Sequence, residues 1–139
     1  MADASGHLRV EVVSPERVLF SGEARQVITR TLGGGEIAFL PGHSPFLGAV
    51  IENHTRVYLT DGTVQGIAVH LGFVEVGPDH VSILSDAAEL AQDIDVTRAA
   101  EAKRRAEEQL RTEHSAEGEA ALRRAHARLS ATGGLGASH

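Results

Sequence analysis

The sequence predicts an α+β fold, in which an N-terminal antiparallel β-sandwich is followed by a C-terminal two-helix antiparallel hairpin. Amino-acid usage changes near Asp86: all four prolines, all five aromatic residues and eleven of the fifteen glycines precede it. Before this point, short apolar runs are separated by turn residues; after it, the chain is rich in alanine and charge at helical spacing. We therefore predict two modules, residues 1–86 and residues 87–139.

Short apolar runs indicate strands in the first module. Leu8, Val10 and Val12 alternate with polar residues, which is the period of a half-buried strand. Asp61-Gly62 lies between two apolar runs and predicts a tight hairpin, because both turn positions tolerate positive φ. Many short strands that each end at a turn residue are typical of an antiparallel sandwich or barrel. The other runs are 18–20, 27–29, 37–39, 49–51, 57–59, 67–69, 73–76 and 81–84.

The second module predicts two helices. Asp95 is a favourable N-cap, and neither proline nor glycine interrupts residues 96–117. The pattern breaks at His114, after which Ser115 can cap a second helix. Two favourable i,i+4 ion pairs are predicted on the first helix, Glu101–Arg105 and Glu107–Arg111.

The seam of this hairpin is mostly alanine. Leu122, Ala125 and Leu129 share one face of the second helix, and alanines recur at helical intervals along the first. Because an alanine buries little area, at roughly 25 cal/mol per Å², the helices gain less from packing than leucine-lined ones would. With residues 87–93 as a linker, we predict a mobile hairpin, followed from Gly133 by a flexible tail.

Composition excludes several classes of function. The chain has no cysteine, so thiol catalysis and thiolate metal sites are ruled out. A net charge of −6 argues against nucleic acid as the main partner. We see no signal peptide at Met1 and no apolar run long enough to cross a bilayer, and we expect a cytoplasmic protein. The histidines are scattered, which predicts no metal site, and no arrangement of nucleophile and base predicts a catalytic residue.

A set of motifs in a fixed order resembles the epsilon subunit of bacterial F-type ATP synthase over nearly the full chain. The motifs are residues 8–16 (LRVEVVSPE), 20–22 (FSG), 35–47 (GEIAFLPGHSPFL), 72–76 (GFVEV), 81–86 (VSILSD) and 93–99 (DIDVTRA). The resemblance implies a β-sandwich and a two-helix domain in a rotor subunit of the central stalk. It also implies ATP synthesis, proton transport and a peripheral position on the cytoplasmic face of the cell membrane, reached only through the complex.

The resemblance also implies partners and interface residues. The sandwich of this family binds the gamma subunit and the ring of c subunits. Glu36 and His43 match the ring-contacting loop, and we expect both at one end of the sandwich, beside the 33–35 and 41–45 turns. The helices of the family either fold down on the sandwich or extend into the catalytic alpha/beta head, where they inhibit ATP hydrolysis.

A regulatory ATP site is implied for the folded-down hairpin of some family members. Its signature is matched by Ile94, Asp95, Arg98 and Ala99, and its other positions by Glu89, Arg105, Arg124 and Arg128. Helical spacing places Arg98 with Arg105, and Arg124 with Arg128, on common faces, with few carboxylates close by in sequence. Four guanidinium groups brought together would attract a polyphosphate. The alternative is a solvated helix face with i,i+4 pairs.

Some positions depart from the family pattern. Gly33-Gly34-Gly35 is richer in glycine, Ala38 replaces a glycine, and His70-Leu71 stands where the family tends to have Ser-Gly. The link around residues 113–117 is several residues shorter, which bears on the register of Arg124 and Arg128. Two other functions stay open: a free-standing small-ligand sensor with this architecture, and an enzyme with an unrecognised site.

Overall fold

A computed structural model describes residues 6–133 of the chain. These residues form an α+β fold of nine strands followed by two helices, which confirms the predicted fold class. The elements are β1 (Leu8–Val13), β2 (Val18–Thr31), β3 (Gly35–Phe39), β4 (Phe46–Val50), β5 (Asn53–Leu59), β6 (Val64–Val69), β7 (Gly72–Val76), β8 (His80–Ser85), β9 (Ala88–Leu90), α1 (Val96–Thr112) and α2 (Ala116–Ala131). The predicted flexible tail, residues 134–139, lies outside the described residues.

One continuous sheet folds over to make both layers of the sandwich. The strand order is β1-β8-β7-β4-β2-β5-β6-β9, and β1 also pairs with β2, which closes the sheet on itself. Strand β2, with 14 residues, is long enough to belong to both layers. All strand pairs are antiparallel except β1 and β8, which are parallel. That pair departs from the antiparallel prediction. Its two strands are far apart in the chain, and only a short hairpin turn forces two strands to be antiparallel.

The core lies between the two layers. Leu8, Val10 and Val12 are completely buried, as their alternation predicts. Phe39 is the largest fully buried side chain among the described residues. The predicted hairpin between β5 and β6 is confirmed, and it depends on Gly62, whose φ of +93° would strain a residue with a Cβ atom.

Side-chain caps define the two helices as predicted. The Asp95 carboxylate accepts a hydrogen bond from the Arg98 N–H at 3.1 Å, and the Ser115 hydroxyl accepts one from the Gly118 N–H at 3.0 Å. The first helix ends at Thr112, before the predicted break at His114.

One of the two predicted ion pairs on α1 is present. Arg105 lies 3.5 Å from Glu101, which confirms that pair. The predicted Glu107–Arg111 pair is wrong: Glu107 lies 3.4 Å from Lys103, and Arg111 lies 3.8 Å from Glu108. Both carboxylates have more than one basic side chain within helical reach, so spacing alone does not choose the partner.

The hairpin is docked on the sandwich. Helix α2 packs across β5 and β6, where Ala127, Leu129 and Ala131 meet Ala68 of β6. Between the helices, Ala99, Ala106 and Ala125 are buried, so the seam is lined by alanine as predicted. The predicted linker is not free chain, because β9 pairs with β6 and residues 91–93 form a 3₁₀ turn.

Candidate functional site

A cleft of about 350 Å³ opens where the end of α2 meets the start of α1 and strand β9. Its walls come from three places in the chain: Glu89 on β9, residues 93–105 in the 3₁₀ turn and the first half of α1, and Arg128 on α2. Seven of the eight residues predicted to bind ATP line it: Glu89, Ile94, Asp95, Arg98, Ala99, Arg105 and Arg128.

Local sequence explains how α1 presents its part of the cleft. Asp95 begins the helix by capping it, which places Arg98 in the first turn and Arg105 two turns later on the same side. Ala99 and Ala102 lie between these arginines and line the floor, where their small side chains leave space. The arrangement offers guanidinium donors around a depression large enough for a small anionic ligand.

Arg128 fixes the hairpin side of the cleft to the sandwich side. Its Nε donates to Oε1 of Glu89 at 2.5 Å, across 39 positions of the chain. His70, which follows β6, lies behind this pair with its Nε2 3.6 Å from the same carboxylate oxygen. Burial lowers the pKa of His70, and the positive charge of Arg128 lowers it further.

The cleft contains one carboxylate, Asp93, in addition to the predicted Glu89 and Asp95. Glu89, Asp93 and Asp95 line it together with the three arginines, so the formal charges balance. Asp93 comes from the 3₁₀ turn, directly before the predicted Ile94 and Asp95. Arg98 differs from the other arginines, since its side chain has no ion pair within residues 6–133.

Arg124 does not line this cleft, although it was predicted to join the other arginines. Its guanidinium lies 3.7 Å from Glu117. The four-residue spacing does put Arg124 and Arg128 on one side of α2, but Arg124 lies a full turn farther from the start of α1. Its charge acts on His70 instead, where it also lowers the pKa.

A larger cleft of about 740 Å³ lies on the other side of α2, between that helix and β2, β3 and β5. Two of its basic side chains are already paired: Arg56 lies 2.6 Å from Glu36, and Arg123 lies 3.1 Å from Glu52. His54 also lines it, with a pKa lowered first by burial and then by the charge of Arg56. The third arginine of this cleft, Arg30, has no ion pair among residues 6–133, so this cleft also offers one unpaired guanidinium group.

The two residues that match the ring-contacting loop do not lie at one end of the sandwich. Glu36 is the second residue of β3, beside the 33–35 turn. His43 lies beyond the other end of β3, where its ring meets the Phe39 ring edge-on at 5.0 Å. The expected common position is wrong because an extended strand of five residues separates the two turns.

Sequence reasoning missed the functional interest of His70. The sequence identified it only as a departure from the family, without a role. Its proximity to Glu89 depends on β9 pairing with β6, in register between Ala68 and Glu89. Because residues 87–93 were predicted to be a linker, the sequence did not predict this pairing or the proximity of His70 and Glu89.

Two family descriptions together match residues 7–133 of the chain. The family description "ATP synthase, Delta/Epsilon chain, beta-sandwich domain" matches residues 7–91. The description "ATP synthase, Delta/Epsilon chain, long alpha-helix domain" matches residues 92–133. This chain belongs to the ATP synthase delta/epsilon chain family. The two matched regions meet after residue 91, so the first of them includes β9.

Relatives of similar length support this assignment. The ATP synthase epsilon chain of Shouchella clausii is 40% identical over 124 residues, covering 88% of this chain and 92% of the relative. That of Symbiobacterium thermophilum is 40% identical over 139 residues, covering 97% and 96%. A chain of the Euglena gracilis mitochondrial ATP synthase shares the fold, with a TM-score of 0.68 at 19% identity over 96% of this chain and 81% of that one.

Membership of this family makes the chain a subunit of ATP synthase rather than a catalyst on its own. Within the described part of the chain, no three His, Asp or Glu side chains are grouped so as to hold a metal ion. Neither α1 nor α2 is long and apolar enough to cross a membrane.

Proposed function

We propose that this epsilon chain is a rotor subunit of the central stalk whose helical hairpin regulates ATP hydrolysis, with ATP as the regulatory ligand. In this proposal the sandwich couples the gamma subunit to the c-ring, at the cytoplasmic face of the membrane. The hairpin of α1 and α2 stays docked while ATP is bound, and when free it extends toward the alpha/beta head and obstructs hydrolysis, while β9 stays paired with β6.

The observation that carries the proposal is the cleft at the hairpin–sandwich junction. Its walls belong to both α1 and α2 and to β9 of the sandwich, so a ligand there binds only when all three are assembled. Arg98 is the free cation of the described cleft, and it is placed to receive a phosphate. Glu89 or Asp95 can accept hydrogen bonds from an amino group or a ribose hydroxyl.

Weak packing supports the movement of the hairpin. The buried residues of its interface are mostly alanine, which contribute less on burial than larger apolar side chains. A ligand present at one hundred times its Kd stabilises the state that binds it by about 2.7 kcal/mol. That free energy multiplies the docking equilibrium constant by about one hundred, enough to switch a closely balanced equilibrium.

The sandwich has an open apolar face that suits a protein partner. Phe73 and Leu84 are paired across β7 and β8 and are 57% and 48% exposed. Leu47 and Leu71, on or beside the neighbouring strands, are also exposed. Because the hairpin covers β5 and β6 instead, this face stays free for the gamma subunit. Glu36 and His43 remain candidates for ring contact, but from different ends of β3.

The test is calorimetric titration of ATP into the purified chain and its variants at pH 7.5. Arg98→Ala and Arg128→Ala should each weaken binding about tenfold or more, since each removes a charge-assisted hydrogen bond. Arg124→Ala should have a smaller effect, because its side chain lies outside the cleft. Arg111→Ala is the matched control, because Arg111 lies on α1 like Arg98 but does not line the cleft. Equal affinity in all four variants and the parent would contradict the assigned site.

A free-standing small-ligand sensor, the alternative that the sequence left open, disagrees with membership of a family of ATP synthase subunits. Co-purification with gamma and the c-ring separates the two functions. A sensor would bind ATP without these partners being recovered.

A further inference from the structure

His70 is a buried titratable side chain that the proposed function does not use. The residue is 4% exposed, and neither ring nitrogen has a hydrogen-bond partner within the described residues. Its Nε2 lies 3.6 Å from Oε1 of Glu89, which is too long for a hydrogen bond. The buried imidazole has lost its hydrogen bonds to water without gaining a protein partner. A positive charge on this ring would therefore destabilise the docked state.

The charges that face His70 come from both sides of the hairpin–sandwich junction. Glu89 lies on β9 and belongs to the sandwich, whereas Arg124 and Arg128 lie on α2 and leave when the hairpin leaves. Glu89 is already committed to Arg128, whose Nε donates to it at 2.5 Å. A proton on His70 would therefore face two guanidinium groups and only one carboxylate that is already neutralised.

We propose that His70 makes docking of the α1–α2 hairpin depend on pH, so that acidification releases the hairpin from the sandwich. The imidazole acts as a proton sensor at the base of the Glu89–Arg128 bridge. In the released state the ring meets water and a free Glu89, so protonation of His70 costs less there than in the docked state.

The direction follows from the two states. In the docked state burial, then Arg128 and Arg124, lower the pKa of His70, and Glu89 offsets only part of this. In the released state both arginines are gone, and the pKa returns to its ordinary value of about 6.5 or above. Above that pH both states are neutral and docking is at full strength. Below it the released state takes up the proton first, and docking weakens by at most about tenfold per pH unit.

His54 acts in the same direction and must be separated from His70. It lies under the other side of α2, and its pKa is lowered by burial and Arg56 and raised in part by Glu36. All three of these residues belong to the sandwich, so only the desolvation caused by α2 changes on release. We therefore expect His54 to contribute less to the pH dependence.

The test follows the distance between hairpin and sandwich by fluorescence energy transfer, without nucleotide, from pH 7.5 to pH 5.5. The chain has no cysteine, so Thr60→Cys and Glu113→Cys, both exposed, carry the dyes. Leu129→Asp puts a carboxylate into the buried contact between α2 and β6 and gives the reference signal of the released hairpin. His70→Gln and His70→Asn keep a polar group of similar size that does not titrate.

We expect the docking constant to fall up to about tenfold at pH 5.5 in the parent and to lose most of that dependence in both His70 variants. His54→Gln should lose a smaller part, and the exposed His114→Gln should behave as the parent does. Docking that is constant across this range, or a fall that persists in the His70 variants, would overturn the proposal. The inference rests on the hairpin release proposed above but not on ATP binding, so a calorimetric failure of the ATP site leaves this result unaffected.

Discussion

At the scale of residues, two ion pairs join the hairpin to the sandwich. Arg128 meets Glu89, and Arg123 meets Glu52, whose side chain is only 3% exposed. The second pair spans 71 positions of the chain. A buried carboxylate is costly unless it keeps its partner, so this pair is held to one geometry.

Removing the Arg123 side chain should therefore lower the free energy of unfolding by more than is typical for a half-exposed arginine. In Arg123→Ala the Glu52 carboxylate stays buried without its cation, and we expect a loss of about 1–2 kcal/mol in the free energy of unfolding, since Arg123 itself is half exposed. Urea denaturation measures it. Arg111→Ala, which breaks a pair exposed on both sides, is the control and should change little. Equal losses in both variants would contradict the burial argument.

Most of the candidate site could be predicted from the sequence, because a local motif and helical spacing place its residues. Asp95, Arg98 and Arg105 depend only on where α1 begins and on its pitch. The predicted position of Arg124 in the cleft was wrong, because spacing predicts which face of a helix a residue occupies but not where that residue lies along a neighbouring helix. Glu89 was identified by resemblance alone, and its bond to Arg128 depends on strand pairing that no local pattern reports.

At the scale of elements, Gly66 determines how closely the end of α2 can approach β6. A Cβ atom at this position would lie 2.9 Å from the carbonyl oxygen of Ala131 and 3.0 Å from Nε2 of His54. Real Cβ atoms do not come that close to backbone, so the helix end or the strand would have to shift.

Gly66→Ala should consequently loosen the docked hairpin while the sandwich stays intact. Overpacking of this kind costs about 1–3 kcal/mol. Hydrogen exchange of individual amides measures it: we expect faster exchange along α2 and unchanged exchange in β1 and β8. Thr60→Ala, in an exposed turn of the same sheet, is the control. Uniformly faster exchange in both modules would show that the substitution damages the sandwich instead.

The elements that the sequence predicts well are those with local signals. Side-chain caps mark the start of both helices, and Asp61-Gly62 marks one hairpin. Strand β9 was missed because three residues, Ala88–Leu90, are too few to show a period. The parallel pairing of β1 with β8 is a property of the closed sheet, and it depends on contacts between distant strands.

At the scale of the whole molecule, docking brings two modules together, and one of the two ion pairs between them is an ionic junction at the cleft. The Glu89–Arg128 bridge lies between the cleft that we propose to bind ATP and His70. ATP should strengthen this junction and a proton on His70 should weaken it. The two effects act on the same equilibrium, between docked and released hairpin, and should therefore oppose each other in a titration.

The measurement that tests the central claim most directly is the energy-transfer signal of the Thr60 and Glu113 dye pair during an ATP titration at pH 7.5. The account predicts a saturable rise in the docked fraction in the parent and in Arg111→Ala, and a rise that needs about tenfold or more higher ATP concentration in Arg98→Ala. Saturable binding by calorimetry with no change in the docked fraction would contradict it. ATP would then be a ligand of the cleft that does not control the hairpin.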